Sequence, residues 1–415
     1  MVTALHAGTY LIALMIVGGI LARPWRLPEW SFACAGALCL VLVGAVGIGQ
    51  AWHAVAGGWQ IYLFLVGVLA LAELAKAQGV FAWLSTFILR GARGSRLRLF
   101  AIVFAIGVVV TATLSNDSTV IVLTPAVLAI LARMNVPPLP YLYACAFVSN
   151  AASFALPVGN PANLVIYGSS LPPLLPWLAA FWLPASIAIV ATFGTLWFAM
   201  RSDLNGTFSA ADETAPLSRS GRAALFAVGL SAFALILGSA LGAPVGTIAF
   251  VCALLSLTGI ALVDSTAIRP VLRGIPWGIV PLVAGLFVLV AALDRAGALA
   301  QAQHALAYAE SLPVTASSLA LAGVVTVACN VFNNLPVSLF AGAALQQGHL
   351  ASHVGRVVLI AVDLGPNLSL TGSLATLLWL IVVRREGIVV SPWRFLGVGA
   401  AVTVPALVLA VLVVR

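Results

Sequence analysis

The chain has 415 residues, 62% of them hydrophobic and only 7% charged, with a formal net charge of +8. A soluble domain is charged at roughly a quarter of its positions, so this composition excludes a water-soluble enzyme or binding module and makes a bilayer the solvent. Nucleic-acid binding is excluded as the reason for the positive charge: 18 of the 19 basic residues are arginine, set in short loops between apolar runs, which is an orientation signal.

A helix needs about 20 apolar residues to cross a hydrocarbon core of about 30 Å. The first apolar run, 9–22, has no basic region before it and is followed by Arg23 and Arg26, so it reads as a retained span rather than a cleaved signal. Hydropathy and breakers predict spans near 3–22, 30–49 and 59–76, then an amphipathic piece from Val80 to Arg90 lying along the interface. Segments 97–115 and 117–134 turn sharply on SNDSTVIVLTP (115–125), which predicts a helical hairpin returning to its starting side. A span at 141–168 is interrupted by Pro157, Gly159 and Pro161, and a span at 175–200 closes the first half.

The polar stretch from Arg201 to Arg222 is the linker. The second half repeats the anatomy, with spans at 223–241, 245–263 and 277–294 and a surface piece from Ala298 to Glu310. A hairpin at 314–329 and 333–347 turns on CNVFNNLP (329–336); a span at 354–383 is interrupted at Gly365 and Pro366, and the last span is 393–414. SNAASFALPVGNPANLVIY (149–167) aligns without gaps on VDLGPNLSLTGSLATLLWL (362–380), matching Asn150 to Asp363, Gly159 to Gly372 and Asn163 to Thr376.

The predicted fold is an all-α polytopic membrane protein of two inverted repeats, 1–200 and 223–415, with a cytoplasmic linker at 201–222. Each repeat has five spans, a re-entrant helical hairpin and a broken helix. Five crossings per half, an odd number, force the second repeat to enter from the opposite side. The ten crossings put 16 basic residues on one side, and only Arg295, Arg356 and Arg415 on the other. By the positive-inside rule the first side is cytoplasmic and both termini face outward.

Most acidic residues lie in loops or at span ends: Glu29, Asp203, Asp212, Glu213, Asp264, Glu310 and Glu386. Asp117, at the first hairpin turn, and Asp363, at the second break, lie instead at membrane depth, where an ionisable group faces a cavity and has work to do. Both are predicted proton carriers. The alternatives are that Asn116 and Asp117 cap the second hairpin helix, and that Asp363 is satisfied by the backbone around its break. Glu73 with Lys76, and Asp294 with Arg295, read as local interfacial ion pairs.

Corresponding breaks in two halves point to a transporter binding site. Around them stand neutral donors and acceptors: Asn116, Asn150, Ser153, Asn160, Asn163, Asn333, Asn334, Asn367, Ser369, Thr371 and Ser373. Such a lining, with no deep Arg or Lys, suits a small neutral hydroxylated solute better than a multivalent carboxylate. Cys34, Cys39, Cys145, Cys252 and Cys329 are scattered and read as small core residues. His6, His53, His304, His349 and His353 show no ligand spacing, so neither a metal nor a cofactor is predicted, and without GxxxxGK[ST] the energy comes from an ion gradient or another subunit.

At SNDSTVIVLTP, NNLPVSLFAG and DLGPNLSLTGSLATLLWL followed by RREG (384–387), the sequence resembles the membrane subunit of arsenical pumps, the arsenite permeases of the ion-transporter superfamily. The resemblance implies a bacterial inner-membrane protein that extrudes arsenite or antimonite, As(OH)3 or Sb(OH)3, in exchange for protons, in some members with a soluble ATPase. It also implies that Asn116, Asp117, Asn333, Asn334, Asp363 and Asn367 surround the substrate. The resemblance further implies an acid, in many members, where this chain has Asn150. A sodium/proton antiporter or a sodium-coupled carboxylate permease of the same superfamily would use the same hairpins.

Overall fold

The structure is a computed structural model and describes residues 2–132, 134, 136–208, 216–348 and 352–414; Arg133, Asp212, Glu213, His349 and Arg415, which figure in the readings above, lie outside the described residues. The chain folds into helices, and the described residues form no strand beyond an isolated bridge between Ser95 and Thr207. In chain order come α1 (Val2–Ala22), α2 (Glu29–Leu42), α3 (Ile48–Gly57), α4 (Trp59–Ala77), α5 (Val80–Ala92), α6 (Arg96–Thr113), α7 (Asn116–Leu131), α8 (Leu139–Ala151), α9 (Pro161–Tyr167) and α10 (Leu174–Leu204). Beyond the linker follow α11 (Arg219–Ala240), α12 (Val245–Val263), α13 (Ile268–Gly274), α14 (Ile279–Arg295), α15 (Ala298–Ser311), α16 (Val314–Phe332), α17 (Asn334–Gly348), α18 (Ser352–Leu364), α19 (Leu374–Arg385) and α20 (Pro392–Leu412).

The packing follows the same exchange as the order. α4 lies on α12 as α14 lies on α2, α7 lies on α19 as α17 lies on α9, and α6 lies on α8 as α16 lies on α18. α10 and α20, the last helix before the linker and the last helix among the described residues, pack together. Lipid tails are as apolar as leucine, so helices associate in a membrane through close packing, and small residues let their backbones approach. Here a Cβ added to Gly67 of α4 would lie 2.5 Å from the Ala249 carbonyl carbon of α12, and one added to Gly285 of α14 would lie 2.7 Å from that of Ala33 on α2.

Burial separates centre from rim. Every residue of α8 from Pro140 to Ala151 is buried, while α11 exposes Phe226, Leu230, Phe233 and Leu237, a face that lipid solvates. A helix buried all round belongs inside a bundle.

Several sequence readings are corrected. Among the described residues nine helices are long and apolar enough to cross a membrane: seven match predicted crossings, two are the hairpin legs α6 and α16, and the predicted crossings 30–49, 141–168 and 354–383 are not among them. The predicted span 30–49 stops at Leu42, because the chain turns at Gly44 (φ 74°) and starts the separate helix α3. The broken spans are pairs of shorter helices, whereas the first hairpin legs α6 and α16 reach span length. At 1.5 Å per residue, the 18 residues of α6 extend about 27 Å. Lys76 pairs with Glu73 at 3.0 Å, but Asp294 and Arg295 do not pair with each other: Gln347 donates to Asp294 and Arg295 donates to Gln50. Of the cysteines, Cys145 and Cys329 are buried, Cys34 and Cys252 are half-buried, and Cys39 is exposed rather than in the core.

Candidate functional site

Both broken spans are built alike. α8 ends at Ala151, Pro157–Gly159 form a 3-10 turn, and the Asn160 side chain caps α9 by accepting from Ala162 N at 3.0 Å. α18 ends at Leu364, Gly365–Leu368 form the matching turn, and Ser373 caps α19 by accepting from Thr376 N at 3.0 Å. Proline denies the turn a donor and unwinding frees carbonyls, which need partners. Asn163 supplies them in the first break, its amide donating to Ser153 O at 3.1 Å and Pro157 O at 3.3 Å. The glycine before each cap lies against a carbonyl six residues earlier: a Cβ on Gly159 would be 2.3 Å from Ser153 O, and one on Gly372 would be 2.5 Å from Pro366 O.

The hairpin tips present two more helix starts. Ser115 caps α7, accepting from Ser118 N at 3.1 Å, and Asn116 Oδ1 accepts from Asp117 N at 2.9 Å. Asp117 is therefore not the cap. Asn333 caps α17 from a left-handed backbone (φ 71°), its Oδ1 accepting from Leu335 N at 3.2 Å while its amide donates to Thr371 O at 3.0 Å. Asn334 N donates to Gly372 O at 2.8 Å, which fixes this tip on the second break.

The starts of α7, α9, α17 and α19 converge on a cavity of about 20 Å³. Its polar wall is Asn116, Asp117, Asn160 and Asn334; Leu65 of α4, Ile279 of α14 and Leu374 of α19 line the rest with their apolar side chains. That volume suits about one water molecule, so the polar groups stand close together around it. Asp117 is 5% exposed, and no hydrogen bond reaches its carboxylate among the described residues. No basic side chain and no cysteine lines the cavity.

Behind this wall a layer of bonds joins the halves. Asn160 donates to Asp363 Oδ1 at 2.7 Å, and the buried Asp363 Oδ2 has no partner. Asn150 donates to Asn367 Oδ1 at 2.8 Å, and Asn367 donates to Phe147 O at 3.3 Å. Asp363 is thus held by a side chain of the other half rather than by its own backbone. Of the predicted lining, Asn116, Asn160 and Asn334 meet at the cavity. Asn150 and Asn367 bond to each other beyond it, Asn163 and Asn333 hold backbone, Ser373 is a cap, and Thr371 offers Asn333 its carbonyl.

Sequence reading missed two residues that join elements here. The Asn330 amide donates to Thr326 O and Gly365 O, both at 2.8 Å, tying α16 to the second break, and its Oδ1 is buried without a partner. Its signal was present in CNVFNNLP (329–336), as a third asparagine within a turn of the hairpin tip. Gln346 of α17 donates to Ile166 O at 3.0 Å, tying the second hairpin to α9.

The first-turn amides of α9 and α17 are taken, with Ala162 N and Leu335 N donating to the caps and Asn334 N to Gly372 O, so these helices bring positive dipole ends rather than free N–H groups. Together with the asparagine amides and one carboxylate, the arrangement can hydrogen-bond a small oxygen-bearing solute and hold or release a proton beside it.

The CitMHS family, described as citrate transporters, matches residues 10–362. The chain belongs to this family. The transporter is also similar to arsenical pump membrane proteins of Yersinia enterocolitica, 29% identical over 395 residues and 91% of each chain, and of Escherichia coli, 29% identical over 398 residues and 91% of each chain. An uncharacterised transporter of Mycobacterium bovis is 24% identical over 414 residues, 96% of each chain. The fold is similar to the crystal structure of the Alcanivorax borkumensis YdaH transporter, reported to have an unusual topology, with a TM-score of 0.57, 15% identity, and coverage of 88% of this chain and 86% of that one. The protein is a multi-pass membrane transporter and not an enzyme.

Proposed function

We propose that the transporter extrudes arsenite and antimonite, as As(OH)3 or Sb(OH)3, from the bacterial cytoplasm in exchange for protons. The observation that carries this reading is the convergence of four helix starts, two from each half, on a small cavity with a polar wall whose one carboxylate, Asp117, accepts no hydrogen bond among the described residues. A neutral trihydroxide needs donors, acceptors and no counter-ion. The asparagine amides supply the donors, and an ionised Asp117 accepts. Protonation of Asp117 removes that acceptor, which gives proton uptake a way to drive release. Asp363, bonded to Asn160, lies next in line to take a proton. The likeness to arsenical pump membrane proteins across 91% of the chain supports the substrate class.

In this reading residues 1–200 and 223–415 are inverted repeats joined by a cytoplasmic linker, and the matched packing pairs support that division. A soluble ATPase remains a partner for which the resemblance alone speaks.

A second reading, a carboxylate permease, has an observation in its favour, because helix N-termini attract anions and the family description names citrate. Against it, the same cavity holds a carboxylate and no Arg or Lys. Everted membrane vesicles acidified inside distinguish the two when arsenite, citrate and sodium are offered side by side. Arsenite is expected to accumulate, and Asp117→Asn or Asp363→Asn, which keep size and hydrogen bonding while removing titration, is expected to abolish it with the protein still in the membrane. Proton-driven arsenite uptake undiminished in both variants would sink the coupling, and citrate uptake without arsenite uptake would sink the substrate.

A further inference from the structure

We infer that a large apolar cleft behind the second hairpin is the binding site of a lipid acyl chain. The cleft has a volume of about 740 Å³ and runs between α1, α14, α15, α16 and α17, away from the polar cavity. Pockets of this size ordinarily take a ligand.

The cleft arises from sequence. Both surface helices begin after a left-handed glycine, Gly79 (φ 72°) before α5 and Gly297 (φ 84°) before α15, which sets their register. Where α5 then carries Val80, Leu84 and Phe87, α15 carries Ala298, Ala302 and Ala305, and with Ala309 these make a stripe of methyl groups along the cleft. α5 lies on its hairpin, with Ser85 donating to Ala126 O at 3.1 Å, whereas the alanines of α15 leave room against α16.

The lining determines the chemistry of the occupant. Its hydroxyls belong to Tyr10, Ser317 and Tyr308. Tyr10 donates to Ala296 O at 3.3 Å and Ser317 to Val314 O at 3.1 Å, while Tyr308 is 67% exposed at the rim, a usual place for an interfacial aromatic. Water needs two to four polar partners, and these scattered hydroxyls do not supply them together; a charged or hydroxylated ligand fares no better. The mouth opens where Leu14 of α1 and Val324 of α16 are exposed on spanning helices, so what meets it is hydrocarbon. A partner helix about 10 Å across would fit in this volume for roughly two turns at most, too short for a span, whereas a single hydrocarbon chain can fill the cleft along its length.

The cleft also reaches the transport site from behind. Phe332 and Pro336, which line it, flank Asn333 and Asn334 at the hairpin tip. An acyl chain there backs the turn that presents Asn334 to the cavity.

The test reconstitutes the full chain in phosphatidylethanolamine carrying a diazirine in its acyl chain, followed by illumination and peptide mapping. Label is expected to concentrate on the facing sides of α15, α16 and α17. Ala302→Phe and Ala305→Phe, which fill the cleft, are expected to reduce it several-fold, and Ala307→Phe, on the same helix but outside the lining, to leave it unchanged. If the filling variants fail to insert, unlabelled phosphatidylethanolamine serves instead: it competes saturably for the cleft and only by dilution on the exposed face of α11. Labelling of the cleft no denser than that of α11, labelling untouched by filling or by saturating competitor, or cross-links to a second copy through the cleft would overturn the proposal.

Discussion

Asn333 holds the second hairpin tip in a backbone conformation, φ 71°, that costs most side chains about 1 kcal/mol or more. Asparagine offsets that cost with two bonds, one capping α17 and one to Thr371 O. Asn333→Ala keeps the strain and is expected to lose about 1 kcal/mol from the cap, lowering the thermal midpoint of the detergent-solubilised protein and impairing transport. Asn333→Gly relieves the strain and is expected to fall between wild type and the alanine variant; a glycine variant no better than alanine would show that this backbone stores no strain. The sequence marked this residue as a candidate but could not assign its role, because an amide can face a solute, cap a helix or hold a freed carbonyl equally well. Asn334 faces the cavity, Asn333 caps, and Asn163 holds Ser153 O. Contact between charges was also only partly legible. Glu73 and Lys76, three apart on α4, meet, whereas the adjacent Asp294 and Arg295 point apart, as neighbouring helix positions must, and find Gln347 and Gln50.

At the scale of elements, the breaks were legible because proline and glycine act locally, whatever surrounds them. The end of α2 was not, since Gly44, Gly47 and Gly49 lie in a run whose hydropathy continues past residue 42. The depth of the hairpins escaped for a different reason: a leg of span length has the same composition whether it crosses or turns back. The structure makes the two break glycines interchangeable in role. Ala at position 159 would put its Cβ 2.3 Å from Ser153 O, and at position 372 its Cβ 2.5 Å from Pro366 O and 2.8 Å from Asn330 Oδ1. Backbone cannot yield cheaply at such distances. Gly159→Ala and Gly372→Ala are each expected to destabilise the protein by about 1–3 kcal/mol and to depress transport. Gly18→Ala, in open space on α1, is expected to do neither. Measuring thermal midpoints and vesicle uptake together checks this, and wild-type behaviour in both break variants would mean that the turns are not tightly determined.

At the scale of the molecule, the charge bias and the packing agree on which loops share a side. The basic turn after α5 meets the chain leaving α10, with Phe208 N donating to Gly94 O at 2.8 Å and Arg96 N to Gly206 O at 3.3 Å. Glu73, at the end of α4, lies against Gly274 beside Arg273, and Gly221 lies against Gln78 O. Lys76, Arg93, Arg96, Arg219, Arg222, Arg269 and Arg273 thereby gather on one side. The other side joins loops with few cations: Arg295 meets Gln50, Gln346 lies against Gly168, and Gly242 lies near Pro173. Loops with excess Lys and Arg stay in the cytoplasm. Alkaline phosphatase fused after Leu217 is therefore expected to be inactive, and fused after Leu312, beyond α15, to be active, with fluorescent-protein fusions at the same two points giving the reverse. Because contacts tie these loops into two groups, one result constrains the rest: activity after Leu217 would turn the whole molecule over, whereas activity at both points would overturn the division into two sides.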